Sequence, residues 1–156
     1  MPYVELKIYS NKELIKMTTQ ESQEQIIKEF KGLNNWLDKY GHLIVLGRNL
    51  PAIDVKNKTA DTLIRGCQVN TWFHSTFRDG KVFYEIDSIS LIIKGTAVLL
   101  LRVLNGLTPE EIKNTDLYFI DKTGLKENFS PMKANSLWKL VNRMRADAAA
   151  YAKKEK

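Results

Sequence analysis

Cysteine and histidine, the residues best suited to nucleophilic or metal chemistry, are scarce in this chain. It has one cysteine, Cys67, and two histidines, His42 and His74. One cysteine cannot form an internal disulfide, and it cannot alone supply the thiolates of a zinc or iron–sulfur site. The chain also lacks the glycine-rich nucleotide-binding motifs and the HExxH and GxSxG motifs of hydrolases. Thiol chemistry at Cys67 is therefore the first chemistry to consider.

Two interpretations of Cys67 remain open on the residues alone. A free cysteine is most often a small buried hydrophobe. Here, however, Gly66 precedes it at the end of a predicted short strand, and Arg65, two residues away in sequence, could favour the thiolate, which is the form that attacks sulfur. With no second cysteine to resolve it, such a thiolate suits sulfur exchange with another protein. A dyad with His74 is conceivable, but the seven-residue offset gives no reason for the two to meet.

Length and composition indicate one ordinary globular domain. The chain has 156 residues, of which 44% are hydrophobic and 27% charged. The longest apolar stretch, residues 96–101, is far too short to cross a bilayer, and the N-terminus lacks the order of a signal peptide. The absence of a disulfide fits a reducing compartment. We therefore expect a cytoplasmic protein.

Positive charge is concentrated at the C-terminus. The net charge is +6, and residues 133–156 hold seven basic and two acidic residues, a net +5. Such a segment is most often a solvated helix face and tail. A basic nucleic-acid-binding module that uses this helix, with a structural cysteine, is the alternative.

The hydrophobic pattern predicts an α+β fold. Helices are expected from residue 23 and from Asn34 or Asn35, and residues 18–22 read as a polar linker. A strand at residues 62–64 and a hairpin around Asp79-Gly80 predict a three-stranded antiparallel sheet in mid-chain, with helices packed on one face.

Capping signals then place three helices after the sheet. Asp87-Ser88 is expected to cap a long buried helix over residues 89–105. Thr108 opens a short helix with a capping box, and Ser130-Pro131 opens the last helix. The core face of the last helix is expected to consist of Leu137, Leu140, Val141, Met144 and Ala148.

Five segments of residues 24–147, in order, resemble the SufE/CsdE family, the sulfur-acceptor proteins of iron–sulfur cluster assembly. They are Trp36-Leu-Asp-Lys-Tyr40 with Leu43-Ile-Val-Leu-Gly47 and Leu50-Pro51, Arg65-Gly-Cys-Gln68 with Trp72, Asp87-Ser88 with Ile93-Lys-Gly95, Leu107-Thr-Pro-Glu-Glu-Ile112, and Ser130-Pro131 to Leu137. The resemblance implies a SufE/IscU-like fold over residues 22–156, after an unassigned N-terminal extension, residues 1–21.

The resemblance also implies a function. Cys67 is the expected persulfide acceptor from a SufS-like cysteine desulfurase, whose turnover the protein stimulates, and the sulfur passes to an iron–sulfur scaffold complex. Arg65, Gly66, Gln68, Asp87 and Lys133 are the implied loop and partner-facing residues. Such a protein is an accessory carrier rather than an enzyme. It needs no cofactor or metal of its own, because pyridoxal phosphate belongs to the desulfurase, and neither a membrane nor nucleic acid is an expected partner.

Four positions depart from the family pattern. Val69 replaces its serine, Ile89 its aspartate, Lys133 its arginine and Ser136 its glycine. A lysine does not reproduce a bidentate arginine contact. A cluster scaffold of the same fold would need about three cysteine or histidine ligands near one loop, and Cys67 alone is there.

Overall fold

The computed structural model describes residues 6–10 and 13–155. The elements, in chain order, are β1 (Leu6–Ser10), β2 (Glu13–Lys16), α1 (Thr19–Lys31), α2 (Trp36–Asn49), a 3-10 turn (Val55–Asn57), β3 (Thr71–Arg78), β4 (Lys81–Ser88), α3 (Leu91–Leu104), α4 (Pro109–Asn114), α5 (Phe119–Lys122), α6 (Leu125–Asn128) and α7 (Pro131–Glu155). Helices pack beside an antiparallel sheet, so the α+β class is confirmed.

The β3–β4 hairpin is the sheet on which the central helices pack. Asp79 and Gly80 form its turn with φ values of 52° and 75°, as the Asp-Gly pair predicts for a type I′ turn. Alternate residues of the hairpin, among them Phe73 and Val82, are buried beneath α3 and α7. The hairpin prediction is confirmed.

The prediction of a third strand is wrong. Within the residues that the structure describes, the hairpin sheet contains only β3 and β4, and Leu63 is joined to Trp72 by an isolated bridge. Two backbone hydrogen bonds, from Ile64 N to Thr71 O at 2.8 Å and from Phe73 N to Thr62 O at 2.8 Å, surround that bridge. Beyond Ile64 the chain leaves the sheet at a turn, so the pairing stops after one step.

The long helix α3 is the centre of the core, as its almost continuous apolar sequence predicts. The predicted start of this helix is wrong. The N-cap is Ser90, whose Oγ accepts from Ile93 N at 3.3 Å, and the helix begins at Leu91. Asp87 and Ser88 are the last residues of β4, because strand pairing with Thr71 and Trp72 continues through them.

The prediction that residues 18–22 form a linker is also wrong. Thr18 and Glu21 make a capping box, so α1 begins at Thr19 rather than at residue 23. Gln23 is buried, and hydrogen bonds offset the cost of burying its amide. The side chain donates to Asp116 O at 2.9 Å and accepts from Phe119 N at 3.0 Å. Gln23, the residue after this segment, therefore holds α1 against the segment around α5.

The remaining helix predictions are confirmed. Thr108 forms the capping box of α4, and Ser130 Oγ accepts from Lys133 N at 3.3 Å at the start of α7. The predicted core face of α7 is buried at all five positions. The domain boundary between residues 21 and 22 stays a prediction. The described helices include none long and apolar enough to cross a membrane.

Candidate functional site

Cys67 lies in the loop that joins the Leu63 bridge to β3. Gly66 has a φ of 84°, a left-handed conformation that glycine adopts without strain. It turns the chain away from the sheet just before the cysteine. Cys67 is half-buried and packs against the edge of the hydrophobic core. The thiol is therefore neither fully exposed nor sealed in the interior.

The far end of this loop is tied to the end of the hairpin. Thr71 Oγ1 donates to Val69 O at 3.0 Å, and Ser88 Oγ donates to Asn70 O at 3.2 Å. The N–H of Ile89 also donates to Asn70 O, at 3.1 Å. These bonds fix where the loop rejoins β3 and leave residues 65–68 as the part that projects.

The helix α7 covers the Gly66 side of the loop. Asn135 Nδ2 donates to Gly66 O at 3.1 Å. A Cβ placed on Gly66 would lie 3.0 Å from Lys139 Nζ and 3.2 Å from Lys139 Cε. No motif in the sequence indicates that Asn135 and Lys139 belong to the site. Their i, i+4 spacing puts them on one face of a helix, but only the fold shows which loop that face meets.

Asp87 is held by two lysines at the hairpin end. It is buried, and its carboxylate lies 3.3 Å from Lys58 Nζ and 3.5 Å from Lys94 Nζ. Its Oδ1 also accepts from Ser88 N at 2.8 Å. Lys58 Nζ also lies 4.4 Å from the centre of the Trp72 ring. Trp72 is the residue of β3 that pairs with Asp87 of β4. This network supports the end of the hairpin to which the loop is tied.

The structure brings some of the predicted residues together and separates others. Arg65 and Gln68 are exposed on either side of Gly66 and Cys67. Lys133 contacts α2 instead, with its Nζ 6.0 Å from the centre of the Tyr40 ring. Position 133 is two residues from Asn135, so it projects from a different face of α7 than the one that meets the loop.

The two histidines lie elsewhere. His42 Nε2 is 3.1 Å from Glu29 Oε1 in the helical layer, and His74 stands opposite Glu85 in the hairpin. Among the described residues, Cys67 makes no hydrogen bond with either histidine. Nor does any group of three His, Cys, Asp or Glu side chains in that part of the chain form a metal-binding cluster. That the purified protein binds no metal stays a prediction.

A profile described as "SufE: Fe-S metabolism associated domain" matches residues 24–148. An uncharacterized SufE-like protein of Synechocystis sp. is 30% identical over 144 residues, covering 92% of this chain and 91% of the relative. An uncharacterized SufE-like protein of Rhizobium meliloti is 32% identical over 132 residues, covering 81% of this chain and 94% of the relative.

The fold is also similar to a solved structure. The solution structure of a hypothetical protein from Thermus thermophilus superposes with a TM-score of 0.66, covering 83% of this chain and 94% of the other, at 23% identity. That likeness concerns the fold alone. The match of the profile to residues 24–148, together with the relatives aligned over most of their length, shows that the chain belongs to the SufE family, whose domain is associated with Fe–S metabolism.

Proposed function

We propose that this protein is a cytoplasmic sulfur carrier of iron–sulfur metabolism. Cys67 takes the terminal sulfur from the persulfide of a pyridoxal-phosphate-dependent cysteine desulfurase and passes it to an iron–sulfur scaffold complex. The observation that carries the proposal is the placement of the sole thiol of a SufE-family chain on a turn at the protein surface, packed at the edge of the core. The protein is then an accessory carrier, and the cofactor belongs to its partner.

The chemistry is thiol–persulfide exchange. The Cys67 thiolate attacks the outer sulfur of the donor persulfide, forming a new S–S bond. The S–S bond of the donor breaks, its electron pair stays on the donor cysteine, and that cysteine leaves as a thiolate. Cys67 then carries the persulfide, and no external oxidant or reductant is consumed. The rate of such an exchange depends on the thiolate fraction and on access to the attacking sulfur.

Partial burial suits a carrier of this kind. A persulfide that is fully open to solvent reacts with cellular thiols and oxidants, whereas a buried one cannot reach a partner. The half-buried position of Cys67 supports a sheltered resting state. We expect the Gly66 turn to let the sulfur move outward when the donor docks, since glycine has access to backbone conformations that other residues resist.

Two of the basic side chains of α7 are engaged within the protein. Arg143 Nε donates to Asp147 Oδ1 at 3.0 Å, and Arg145 Nη2 donates to Thr115 O at 3.0 Å. These two cations therefore make contacts within the protein. The alternative, nucleic-acid binding, predicts a steep loss of binding with rising salt, and a salt titration with a labelled oligonucleotide tests it.

Cysteine turnover by a SufS-type desulfurase, measured as sulfide release, tests the proposal. We expect the wild-type protein to accelerate turnover and Cys67→Ser to abolish the acceleration, because a serine hydroxyl is not ionised at neutral pH. The thermal midpoint of the same variant is the control and should stay close to that of the wild type. A clearly destabilised Cys67→Ser protein that still stimulates the desulfurase would contradict the proposal and favour a structural cysteine.

A further inference from the structure

Two cations flank the turn that carries Cys67. Arg65 is exposed two residues before the cysteine, and Lys139 approaches Gly66 from the neighbouring helix α7. The side chain of Lys139 passes so close that its Nζ would lie 3.0 Å from a Cβ on Gly66. An anion bound to this ammonium group would therefore lie beside Gly66, the residue that precedes Cys67.

Neither cation is neutralised within the part of the chain that the structure describes. Arg65 and Lys139 have no ion-pair partner there, in contrast to Arg143, which pairs with Asp147. Asp87 is the acid at the hairpin end to which the loop is tied. It is buried between Lys58 and Lys94, so its negative charge is already balanced by these two lysines and does not neutralise Arg65 or Lys139. The surface beside Cys67 therefore carries excess positive charge.

Two partly exposed apolar side chains lie near Lys139 on α7. Trp138 precedes Lys139 and is 38% exposed, and Met132 lies two helical turns earlier on the side of Lys139 and is 36% exposed. Partly exposed tryptophan and methionine, together with an arginine, are typical of the composition of a protein–protein contact. We call the surface formed by Arg65, Met132, Trp138 and Lys139 the Cys67 rim.

We infer that the Cys67 rim docks on an acidic surface that surrounds the persulfide-bearing cysteine of the sulfur donor. This inference rests on the proposed function, and it adds the chemistry by which the donor is recognised. Complementary charges accelerate encounter and fix orientation more than they raise final affinity. The hydrogen bond from Asn135 to Gly66 O supports this role, because it holds the part of α7 that carries Lys139 against the turn that carries Cys67.

Charge reversal on the rim tests the inference. The second-order rate constant for persulfide transfer to Cys67 is measured with the SufS-type desulfurase from the same genome, at low and at high ionic strength. Lys139→Glu and Arg65→Glu are compared with Lys154→Glu, an exposed lysine in the last turn of α7 that makes the same change in net charge. Binding of each variant in a Cys67→Ser background, which cannot accept sulfur, is measured in parallel.

We expect each rim reversal to slow transfer about threefold to tenfold at low salt, and Lys154→Glu to change it less than about twofold. The differences should shrink at high salt, because exposed charges are screened. Equal effects of the three variants, or faster transfer after a rim reversal, would overturn the inference while leaving the proposed function intact.

The binding measurement separates the remaining cases. If the wild type takes up no sulfur but binding still weakens selectively on rim reversal, the proposed function fails and the docking surface stands. If the wild type takes up no sulfur and the desulfurase does not bind the Cys67→Ser protein, both fail.

Discussion

Gly66 sets the backbone path by which Cys67 reaches the surface. Its φ of 84° is one that L side chains rarely adopt, and the end of the Lys139 side chain lies 3.0 Å from where a Cβ would stand. The glycine therefore serves both the turn and the contact with α7. The first role is predictable from the Gly-Cys pair, whereas the second depends on how α7 packs and has no local signal.

Gly66→Ala is expected to lower the free energy of unfolding by about 1–2 kcal/mol, because an alanine resists the left-handed conformation. It should also impair sulfur uptake, since Lys139 must shift and the turn must change. Gly80→Ala is the control: its φ is 75°, but no atom lies within 4 Å of its Cβ position. Urea unfolding should show similar losses for both variants, while only Gly66→Ala slows persulfide formation. Equal transfer rates for the two variants would contradict this role of Gly66.

Asp87 stabilises the hairpin end through its lysines rather than through a helix cap. Asp87→Ala would leave Lys94, whose side chain is only 15% exposed, without its carboxylate. We expect a loss of about 2–3 kcal/mol, against about 1 kcal/mol for Ser90→Ala, which removes the true N-cap. Denaturant unfolding of the two variants makes the comparison.

A double variant checks the cause of the Asp87 effect. Asp87→Ala with Lys94→Met should be less destabilised than Asp87→Ala alone, because the uncompensated buried charge is gone. A single Asp87→Ala protein within ~0.5 kcal/mol of the wild type would show that the ion pairs contribute nothing.

The helices α2 and α3 cross at two glycines. A Cβ on Gly47 would collide with the backbone of Leu91, and a Cβ on Gly95 would collide with the backbone of Leu43. Helix backbones that approach this closely leave no room for a side chain. The crossing therefore explains why both glycines stand in helix interiors, where glycine is otherwise unfavourable.

Gly95→Ala is expected to destabilise the protein by about 3 kcal/mol, because the helices must separate to admit a methyl group. Gly41→Ala is the matched change on α2, where nothing lies within 4 Å of the Cβ position. It should raise the free energy of unfolding by about 0.5–1 kcal/mol through higher helix propensity. The thermal midpoints of the two variants test both expectations. A Gly95→Ala midpoint at or above that of the wild type would contradict the close contact between the α2 and α3 backbones.

Local signals predicted the elements whose causes are local. The Asp79-Gly80 turn and the Thr108 capping box formed as expected, because neighbouring residues determine them. Two of the errors also concern local signals. The strand at residues 62–64 stops after one bridge because the chain turns at Gly66, and α1 begins at Thr19 because Thr18 and Glu21 form a capping box.

Three helices of the whole fold are joined by one ionic cluster. Glu29 on α1 accepts hydrogen bonds from Arg102 on α3 and lies 3.1 Å from His42 Nε2 on α2. Burial alone would raise the pKa of Glu29, but the hydrogen bonds and charges of His42 and Arg102 lower it to about 2. No sequence pattern indicates this cluster, because its members are separated along the chain.

This lowered pKa predicts how stability depends on pH. A carboxyl group with a lower pKa in the folded state stabilises the fold fully above its unfolded value, near 4.5, and that contribution is lost as the pH falls towards about 2. The free energy of unfolding should therefore decline over this interval. Glu29→Gln should be less stable at neutral pH and should show a flatter decline. A slope identical to that of the wild type would mean that Glu29 does not control it.

The mass of intact protein after incubation with a SufS-type desulfurase, pyridoxal phosphate and cysteine tests the role of Cys67 most directly. We predict a gain of one sulfur atom on the wild-type chain, located by peptide mapping at Cys67 and removed by a reducing agent. Cys67→Ser should show no gain. An unchanged wild-type mass with an active desulfurase, or a sulfur adduct that survives Cys67→Ser, would contradict the account.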